Sequence, residues 1–204
     1  MTPLHFAANW GRPEAVALLL ERGADVGSRT TDNAGKTPLH MAASNCYLTG
    51  SRSCITLLLA AGADANVKTT EGSYTPLLMV DRGGAAERTQ IACAQLLIQA
   101  GARVNEYGAN EYGQTPIWAA VRKGHRQLAK LLLRAGAETP SDSRLFYDNS
   151  TNALVKRVKA RGGWNAYASN HKRVLVGLVA KCKAGFPDDA AGLVVEFWCP
   201  PGGF

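Results

Sequence analysis

The chain has 204 residues and a formal net charge of +7, from 23 Lys and Arg residues against 16 Asp and Glu residues. Hydrophobic residues make up 46% of it, which is typical of a globular protein with a buried core. The longest largely apolar runs, residues 15–20 and 192–198, are too short to cross a bilayer, and no basic and apolar leader precedes the first motif. We therefore expect neither a membrane span nor a secretory signal.

A nearly identical four-residue phrase occurs four times along the chain. The copies are Thr2-Pro3-Leu4-His5, Thr37-Pro38-Leu39-His40, Thr75-Pro76-Leu77-Leu78 and Thr115-Pro116-Ile117-Trp118. A threonine can accept a hydrogen bond at a helix N-cap, and proline suits the first helical position, so each phrase predicts the start of a helix. A Leu-rich run then predicts a second helix, whose end is marked by a Gly-Ala pair at residues 23, 62, 101 and 136.

This recurring pattern resembles the ankyrin repeat over residues 2–138. The resemblance implies an all-α solenoid of helix-turn-helix repeats joined by hairpin-like finger loops, in which each repeat packs against its neighbours. It also implies that His5 and His40 hydrogen-bond between repeats rather than act chemically. The third and fourth repeats carry Leu78 and Trp118 at that position. Asp81 stands where the family has a small alanine, and the sequence offers no reason for it.

The two middle repeats are longer than the outer two. From the threonine to the Gly-Ala pair the spacing is 21 residues in the first and fourth repeats, but 25 and 26 in the second and third. The extra residues fall between the two helices, around residues 45–53 and 83–89. Such insertions either contribute to binding or drift neutrally on the surface, and we expect neutral drift here because long loops cost little chain entropy.

The chemistry-bearing residues do not assemble into a known motif. The five cysteines are scattered, without a C-x-x-C pair or histidines at zinc spacing, so we expect reduced thiols in a cytoplasmic or nuclear protein, with no metal or other cofactor. No phosphate loop, nucleophile elbow or defensible Cys–His couple is present. The sequence therefore predicts neither an enzyme nor a binder of a small-molecule substrate.

The chain changes character after residue 138. Residues 139–151 are polar and predict a linker, and residues 152–204 predict a helical segment that caps the array. Three helices are predicted in it, over residues 152–161, 165–184 and 188–198. The first of these is amphipathic, with a basic face.

The last helix has two interpretations. Phe186-Pro187-Asp188-Asp189, followed by an apolar stretch, resembles the start of an F-box, which implies docking on a ubiquitin-ligase adaptor. Alternatively, the helix packs on the end of the array. We favour capping, because a terminal repeat otherwise leaves apolar surface in water.

An ankyrin array implies a binding face made by the finger loops and the exposed ends of the first helices, where side chains vary without disturbing the core. The candidate partner-binding residues there are Trp10, Asp32, Asn33, Asn45, Glu71, Arg82, Tyr107, Tyr112, Arg122 and Lys123. Tyr, Trp and Arg are frequent interface hot spots. The predicted function is therefore that of a monomeric, non-enzymatic module or scaffold that binds another protein.

Two alternative functions stay open at this point. One is a substrate adaptor of a ubiquitin ligase, through the F-box-like C-terminus. The other is nucleic-acid binding through basic helix residues, which would make the affinity fall with salt. Those residues are Lys156, Arg157, Lys159, Lys172 and Arg173. No base-stacking or groove-reading motif accompanies them, so we favour a protein partner.

Overall fold

The structure is a computed structural model that describes residues 1–32, 34–81, 86–108, 114–138 and 150–169, with side chains in the last range described from residue 153 onward. All the regular secondary structure in these ranges is helical, as the sequence predicts. The chain divides into two compact units, Met1–Asn152 and Ala153–Phe204.

Each repeat contributes two helices to the first unit. In chain order they are α1 (Pro3–Asn9), α2 (Pro13–Glu21), α3 (Pro38–Ser44), α4 (Ser51–Ala60), α5 (Pro76–Met79), α6 (Glu87–Gln99), α7 (Pro116–Lys123) and α8 (Arg126–Arg134). Helices α1, α3 and α5 pack in one row, while α2, α4, α6 and α8 pack in a second row. The two helices of each repeat also pack on one another. This arrangement confirms the predicted ankyrin-type solenoid.

The Thr-Pro phrases begin the first helices, as predicted. The N-cap threonine is extended in all four repeats, and proline takes the first helical turn. The hydroxyl oxygens of Thr75 and Thr115 accept hydrogen bonds from the backbone N–H groups of Leu78 (3.4 Å) and Trp118 (3.3 Å). After each second helix a glycine adopts positive φ, at Gly23, Gly62, Gly101 and Gly136.

The core lies between the two rows of helices. Its fully buried side chains include Leu39, Ile55, Leu97 and Leu132. The Leu-rich run of the first repeat predicts that Val16, Leu18, Leu19 and Leu20 belong to the core, but Leu18 is 48% exposed. The reason is helical geometry, because successive residues of the run point in different directions and only one face meets the neighbouring helices.

The two insertions lie between the helices of their repeats, but they differ in form. In the second repeat, a loop over residues 45–50 joins α3 to α4. In the third repeat, part of the insertion is helical, because α6 begins at Glu87 and has 13 residues, whereas α4 has 10. Helix α5 is correspondingly short, with 4 residues.

The insertion of the second repeat packs against the repeats on both sides. A Cβ added at Gly50 would lie 2.1 Å from the carbonyl oxygen of Gly11, in the first repeat. On the other side, the Cys46 thiol donates a hydrogen bond to the carbonyl oxygen of Val80 in the third repeat, at 3.4 Å. The prediction of a neutral surface loop is therefore wrong for this insertion, because its backbone is part of the packing between repeats.

Helix α9 (Ser150–Ala160) begins two residues before its predicted start, within the usual variation of helix ends. Its apolar residues Leu154, Val155 and Val158 are buried, and its predicted basic face is exposed. Residues 164–169 are again helical. None of the helices in the described part of the chain combines the length and the apolarity needed to cross a membrane. Residues 139–149 of the predicted linker, residues 170–184 and the F-box-like element at 186–197 lie outside the described residues.

Candidate protein-binding surface

The histidines of the first two Thr-Pro phrases attach the first and second fingers to the repeats that precede them. The His40 Nε2 lies 2.9 Å from the carbonyl oxygen of Tyr74, and His5 Nε2 lies 2.9 Å from that of Lys36. The Nδ1 of His40 accepts a hydrogen bond from the backbone N–H of Thr37 at 3.1 Å, which assigns the proton to Nε2 and makes the ring neutral. Burial lowers the pKa of His40 to about 4. The predicted structural role of both histidines is confirmed.

The first finger (residues 28–36) and the second finger (residues 67–74) are closed in the same way. The Thr30 backbone N–H donates to the Lys36 carbonyl at 2.8 Å, and the Thr69 N–H donates to the Tyr74 carbonyl at 2.9 Å. The two threonine hydroxyls accept the return hydrogen bonds from Lys36 N and Tyr74 N, each at 2.9 Å. These bonds confirm the hairpin-like form of the fingers.

Neighbouring fingers are joined by hydrogen bonds and ion pairs. The Arg29 guanidinium of the first finger donates to the Lys68 carbonyl of the second at 2.9 Å. The Lys68 ammonium lies 2.5 Å from the Glu106 carboxylate of the third finger (residues 106–114). The Arg103 guanidinium lies 3.2 Å from the same carboxylate. The Lys68 ammonium and then the Arg103 guanidinium lower the pKa of Glu106. The fingers therefore form one connected surface.

The predicted finger residues are solvent-exposed where the structure describes them. Asp32 and Glu71 are exposed, and Tyr107 is 62% exposed. The Asp32 carboxylate accepts a hydrogen bond from the Thr30 hydroxyl at 2.5 Å, and this bond lowers its pKa. The finger tip thus presents a carboxylate whose position is set by its own loop. The other two finger candidates, Asn33 and Tyr112, lie outside the described residues.

The predicted helix-end residues differ in how free they are for a partner. Trp10, which ends α1, is 63% exposed. Asn45, which ends α3, is half-buried, and its Nδ2 donates to Asn9 Oδ1 at 2.8 Å. Arg122 is exposed, with its guanidinium 5.0 Å from the centre of the Trp118 ring. Arg82 lies outside the described residues.

Lys123 has a structural contact that the sequence did not reveal. Its ammonium lies 3.1 Å from the Asp81 carboxylate and also donates to the Asp81 carbonyl. The other Asp81 oxygen lies 3.1 Å from His125 Nδ1. This buried carboxylate joins the third repeat to the fourth, which accounts for an aspartate at a position of small residues. A role of Lys123 in partner binding stays a prediction.

Sequence reasoning missed Phe6 as a surface residue. Its side chain is 51% exposed and lies one turn before Trp10 on α1, so both aromatic rings are available on the first repeat. The repeat pattern gave no signal of this exposure, because Phe6 follows the Thr-Pro-Leu-His phrase at the position that Met41 and Met79 occupy in the next repeats. Those two methionines are buried.

A cavity of about 520 Å³ lies between the first two fingers and the helices α3 and α5. Its lining residues are Ala34, Lys36, Ser44, Thr69, Glu71, Gly72, Tyr74 and Met79. An ammonium and a carboxylate therefore border the same space. Among the predicted site residues that the structure describes, Glu71 lines this cavity. In the described part of the chain, no three His, Cys, Asp or Glu side chains come together as a metal-ligand set.

Comparison with known proteins identifies the repeats. A family model described as ankyrin repeats (3 copies) matches residues 1–69 and 49–142. Rabankyrin-5 of Mus musculus is 54% identical over 44 residues, which are 22% of this chain and 4% of that protein. A putative ankyrin repeat protein of Rickettsia bellii (strain RML369-C) is 48% identical over 50 residues, 24% of this chain and 20% of that protein. The chain thus spans a minor part of the curated relatives it matches.

A solved structure agrees with this assignment. The crystal structure of the human ASB11 ankyrin repeat domain has 31% sequence identity to the chain and a TM-score of 0.56, over 68% of this chain and 56% of that one. The family model therefore matches most of the chain, and the structure agrees with it. It shows the repeated Thr-Pro helix starts, the two rows of helices and the connected fingers. The chain belongs to the ankyrin-repeat family, whose stacked repeats serve as protein-interaction modules.

Proposed function

We propose that this chain binds a partner protein on the face formed by its fingers and the exposed ends of its first helices. The observation that carries the proposal is the exposure of large aromatic side chains there. Trp10 is 63% exposed, Tyr107 is 62% exposed and Phe6 is 51% exposed. Residues of these types supply large rigid contact area when a partner covers them, and they dominate the energetics of many interfaces.

The connections between fingers support the same proposal. Because Arg29 bridges the first two fingers and Lys68 pairs with Glu106 of the third, the fingers present a pre-organised surface. Pre-organisation reduces the ordering cost that binding would otherwise include. A partner would therefore bind side chains on finger loops whose backbone conformation is already fixed before binding.

The cavity between the first two fingers supplies a specific point of recognition within this face. Lys36 is half-buried at one border and Glu71 is exposed at another. A polar side chain of the partner that enters this space would find a donor and an acceptor. Charged groups at such positions contribute to orientation and specificity more than to the affinity itself.

A pull-down followed by mass spectrometry tests the proposal. The triple variant Trp10→Ala, Tyr107→Ala, Arg122→Ala should lose the partners captured by the intact chain, while its thermal unfolding changes little because these side chains are exposed. The matched control is Leu18→Ala with Arg52→Ala, at exposed positions on the second helices α2 and α4. That control should retain the partners.

The outcomes separate the proposal from its alternatives. Retention of the partners by the triple variant would place the binding elsewhere on the chain, and equal loss in the control would show that the effect is not specific to this face. Unfolding of the triple variant would mean that the chosen side chains are structural. The ubiquitin-ligase and nucleic-acid alternatives stay predictions, since all the residues of the F-box-like element and two of the five basic residues for nucleic-acid binding lie outside the described part of the chain.

A further inference from the structure

Three exposed arginines lie around the junction of the third and fourth repeats. Arg88 is the second residue of α6, Arg122 lies in the last turn of α7, and Arg126 is the first residue of α8. All three side chains are exposed. The Arg122 guanidinium is held near the Trp118 ring by a cation–π interaction, with 5.0 Å to the ring centre. We call these three residues the arginine cluster.

The packing of the helix ends brings the cluster together. The Glu87 carboxylate accepts hydrogen bonds from the backbone N–H groups of Gln127 (2.5 Å) and Leu128 (3.1 Å), so the first turn of α6 lies against the first turn of α8. The cluster residues of α6 and α8 are the chain neighbours of Glu87 and Gln127. A tight turn at Gly124, with a φ of 76°, connects α7 to α8 and keeps Arg122 close to the start of α8.

The two acidic side chains at this junction already have partners. The Asp81 carboxylate is in contact with Lys123 and His125. The Glu87 carboxylate is bound to the start of α8. In the part of the chain that the structure describes, no carboxylate pairs with a guanidinium of the arginine cluster. The cluster therefore presents positive charge that this junction does not neutralise.

The cations of the fingers are used differently. The Arg29 guanidinium donates to backbone carbonyls of the first two fingers. Lys68 and Arg103 both pair with the Glu106 carboxylate. Those charges hold the fingers together, whereas the charges of the arginine cluster are available to a ligand.

We propose that the arginine cluster binds an acidic segment of the partner protein, in which several Asp or Glu residues lie close together. The inference rests on the proposed function and names the chemistry of the partner. Guanidinium groups donate paired N–H hydrogen bonds to carboxylates. The cluster is continuous with the candidate binding face, because Arg122 belongs to both. Complementary charges there would orient the partner, while the exposed aromatic side chains contribute affinity.

The size of the cluster favours a protein segment over a nucleic acid. Nucleic-acid binding with strong salt dependence involves contacts to roughly 6–10 phosphates. The arginine cluster supplies three cations at one junction between repeats. A few carboxylates are enough to match them, because the rest of the binding face also contacts a partner protein.

Fluorescence anisotropy with a defined peptide tests the proposal. The probe is a labelled peptide of alternating Glu and Ser, and the same peptide with Gln in place of Glu is its neutral counterpart. The intact chain should bind the acidic probe in preference to the neutral one, with an affinity that falls as salt is added. The double variant Arg88→Glu, Arg126→Glu should bind the acidic probe at least about 5-fold more weakly, because each exposed ion pair contributes roughly 1.5- to 5-fold. This variant should instead bind a peptide of alternating Lys and Ser.

The matched control is the double variant Arg12→Glu, Arg52→Glu. It changes the net charge by the same amount, at exposed positions where α2 and α4 begin. It should leave the affinity for the acidic probe within about 2-fold of wild type, because exposed charges in other repeats are largely screened. Negative charge suits the first turn of a helix, so both variants should stay folded, and thermal unfolding checks this.

Three results would overturn the proposal. The first is equal weakening in the two double variants, because the effect would then come from net charge alone. The second is binding of the acidic probe no tighter than that of the neutral one. The third is tighter binding of an oligothymidylate or of phosphatidylserine vesicles that is lost in Arg88→Glu, Arg126→Glu, which would assign the cluster to a nucleic acid or to a membrane.

The pull-down separates this inference from the proposed function. Partners that are lost in the Trp10, Tyr107, Arg122 triple variant but retained by Arg88→Glu, Arg126→Glu would support the binding face and contradict the acidic segment. Binding of the acidic probe by a chain that captures no partner would support the cluster and contradict the proposed function.

Discussion

The carboxylate of Asp81, in the third repeat, lies 3.1 Å from the ammonium of Lys123, in the fourth. The third repeat lacks the histidine that joins the earlier repeats to the next finger, since Leu78 stands in its place. Asp81 instead forms an ion pair with the following repeat, and Asp81 is only 6% exposed. One repeat thus replaces a neutral hydrogen bond with an ion pair.

Replacing Asp81 with Asn should lower the free energy of unfolding by about 1.5–3 kcal/mol, because a hydrogen bond to a charged group contributes roughly that much. A double-mutant cycle of Asp81→Asn with Lys123→Met, measured by urea denaturation, should give a coupling energy of about 0.5–3 kcal/mol. The more exposed pair Lys68 and Glu106 serves as the control and should couple by less than about 1 kcal/mol. Strict additivity of Asp81→Asn and Lys123→Met would show that the contact contributes nothing.

The chain should lose stability as the pH falls from about 7.5 to about 5.5. The pKa of the His40 side chain is 6.5 in the unfolded chain and about 4 in the folded one. Between these two pH values the unfolded chain binds a proton at this ring, whereas the folded chain does not. The stabilisation by the neutral ring is complete above the unfolded pKa and is lost as the pH falls toward the folded one. At about pH 5.5 the loss from His40 is roughly 1.4 kcal/mol. Burial lowers the pKa of His5 in the same direction.

Urea denaturation at several pH values checks this dependence, with His40→Leu as the comparison. Leucine is the residue that the third repeat has at this position. The variant should be less stable at neutral pH, because the hydrogen bond to Tyr74 is lost, but its stability should fall less steeply with acid. An unchanged slope would mean that His40 does not titrate with unfolding.

Gly27→Asn should raise the free energy of unfolding by about 1–2 kcal/mol, through two added side-chain hydrogen bonds and a less flexible unfolded chain. The corresponding Asn66 donates to the Gly101 carbonyl (3.0 Å) and accepts from Arg103 N (2.8 Å), which links successive repeats. Gly27 occupies the same turn, and an added Cβ would meet nothing closer than Asp25 Oδ1, at 3.5 Å. Gly27→Ala is the control, and an asparagine no better than alanine in thermal unfolding would contradict the prediction.

Gly50→Ala should destabilise the chain by about 1–3 kcal/mol or more, because an added methyl group overpacks the contact between the insertion and the first repeat. The cause is not the backbone conformation, since φ at Gly50 is −86°. It is the Gly11 carbonyl oxygen, which would lie 2.1 Å from the new Cβ, with Pro13 Cδ at 2.8 Å. Chemical denaturation beside Gly27→Ala measures the effect. A midpoint equal to that of wild type would mean that the insertion is free to move away.

The repeating features of this fold could be predicted from the sequence because each depends on local or next-repeat interactions. The Thr-Pro phrase sets a helix start through the N-cap and a proline, and both lie within one turn. The inter-repeat role of His5 and His40 also follows the repeat, since every unit meets its neighbour in the same way. The exposure of Trp10 and Tyr107 could be predicted for the same reason, because these positions of a repeat do not pack against the adjacent repeats.

What breaks the repeat could be decided only by the tertiary structure. The inserted loop of the second repeat has no counterpart in the first, so the repeated pattern does not predict that Gly50 packs against Gly11 or that the Cys46 thiol donates to the Val80 carbonyl. Asp81 is likewise a departure from the repeated pattern, and its partner Lys123 is identified only when the helices of the third and fourth repeats are in place. A periodic sequence determines the contacts that every repeat shares, whereas a contact made once depends on the three-dimensional path of the chain between its two residues.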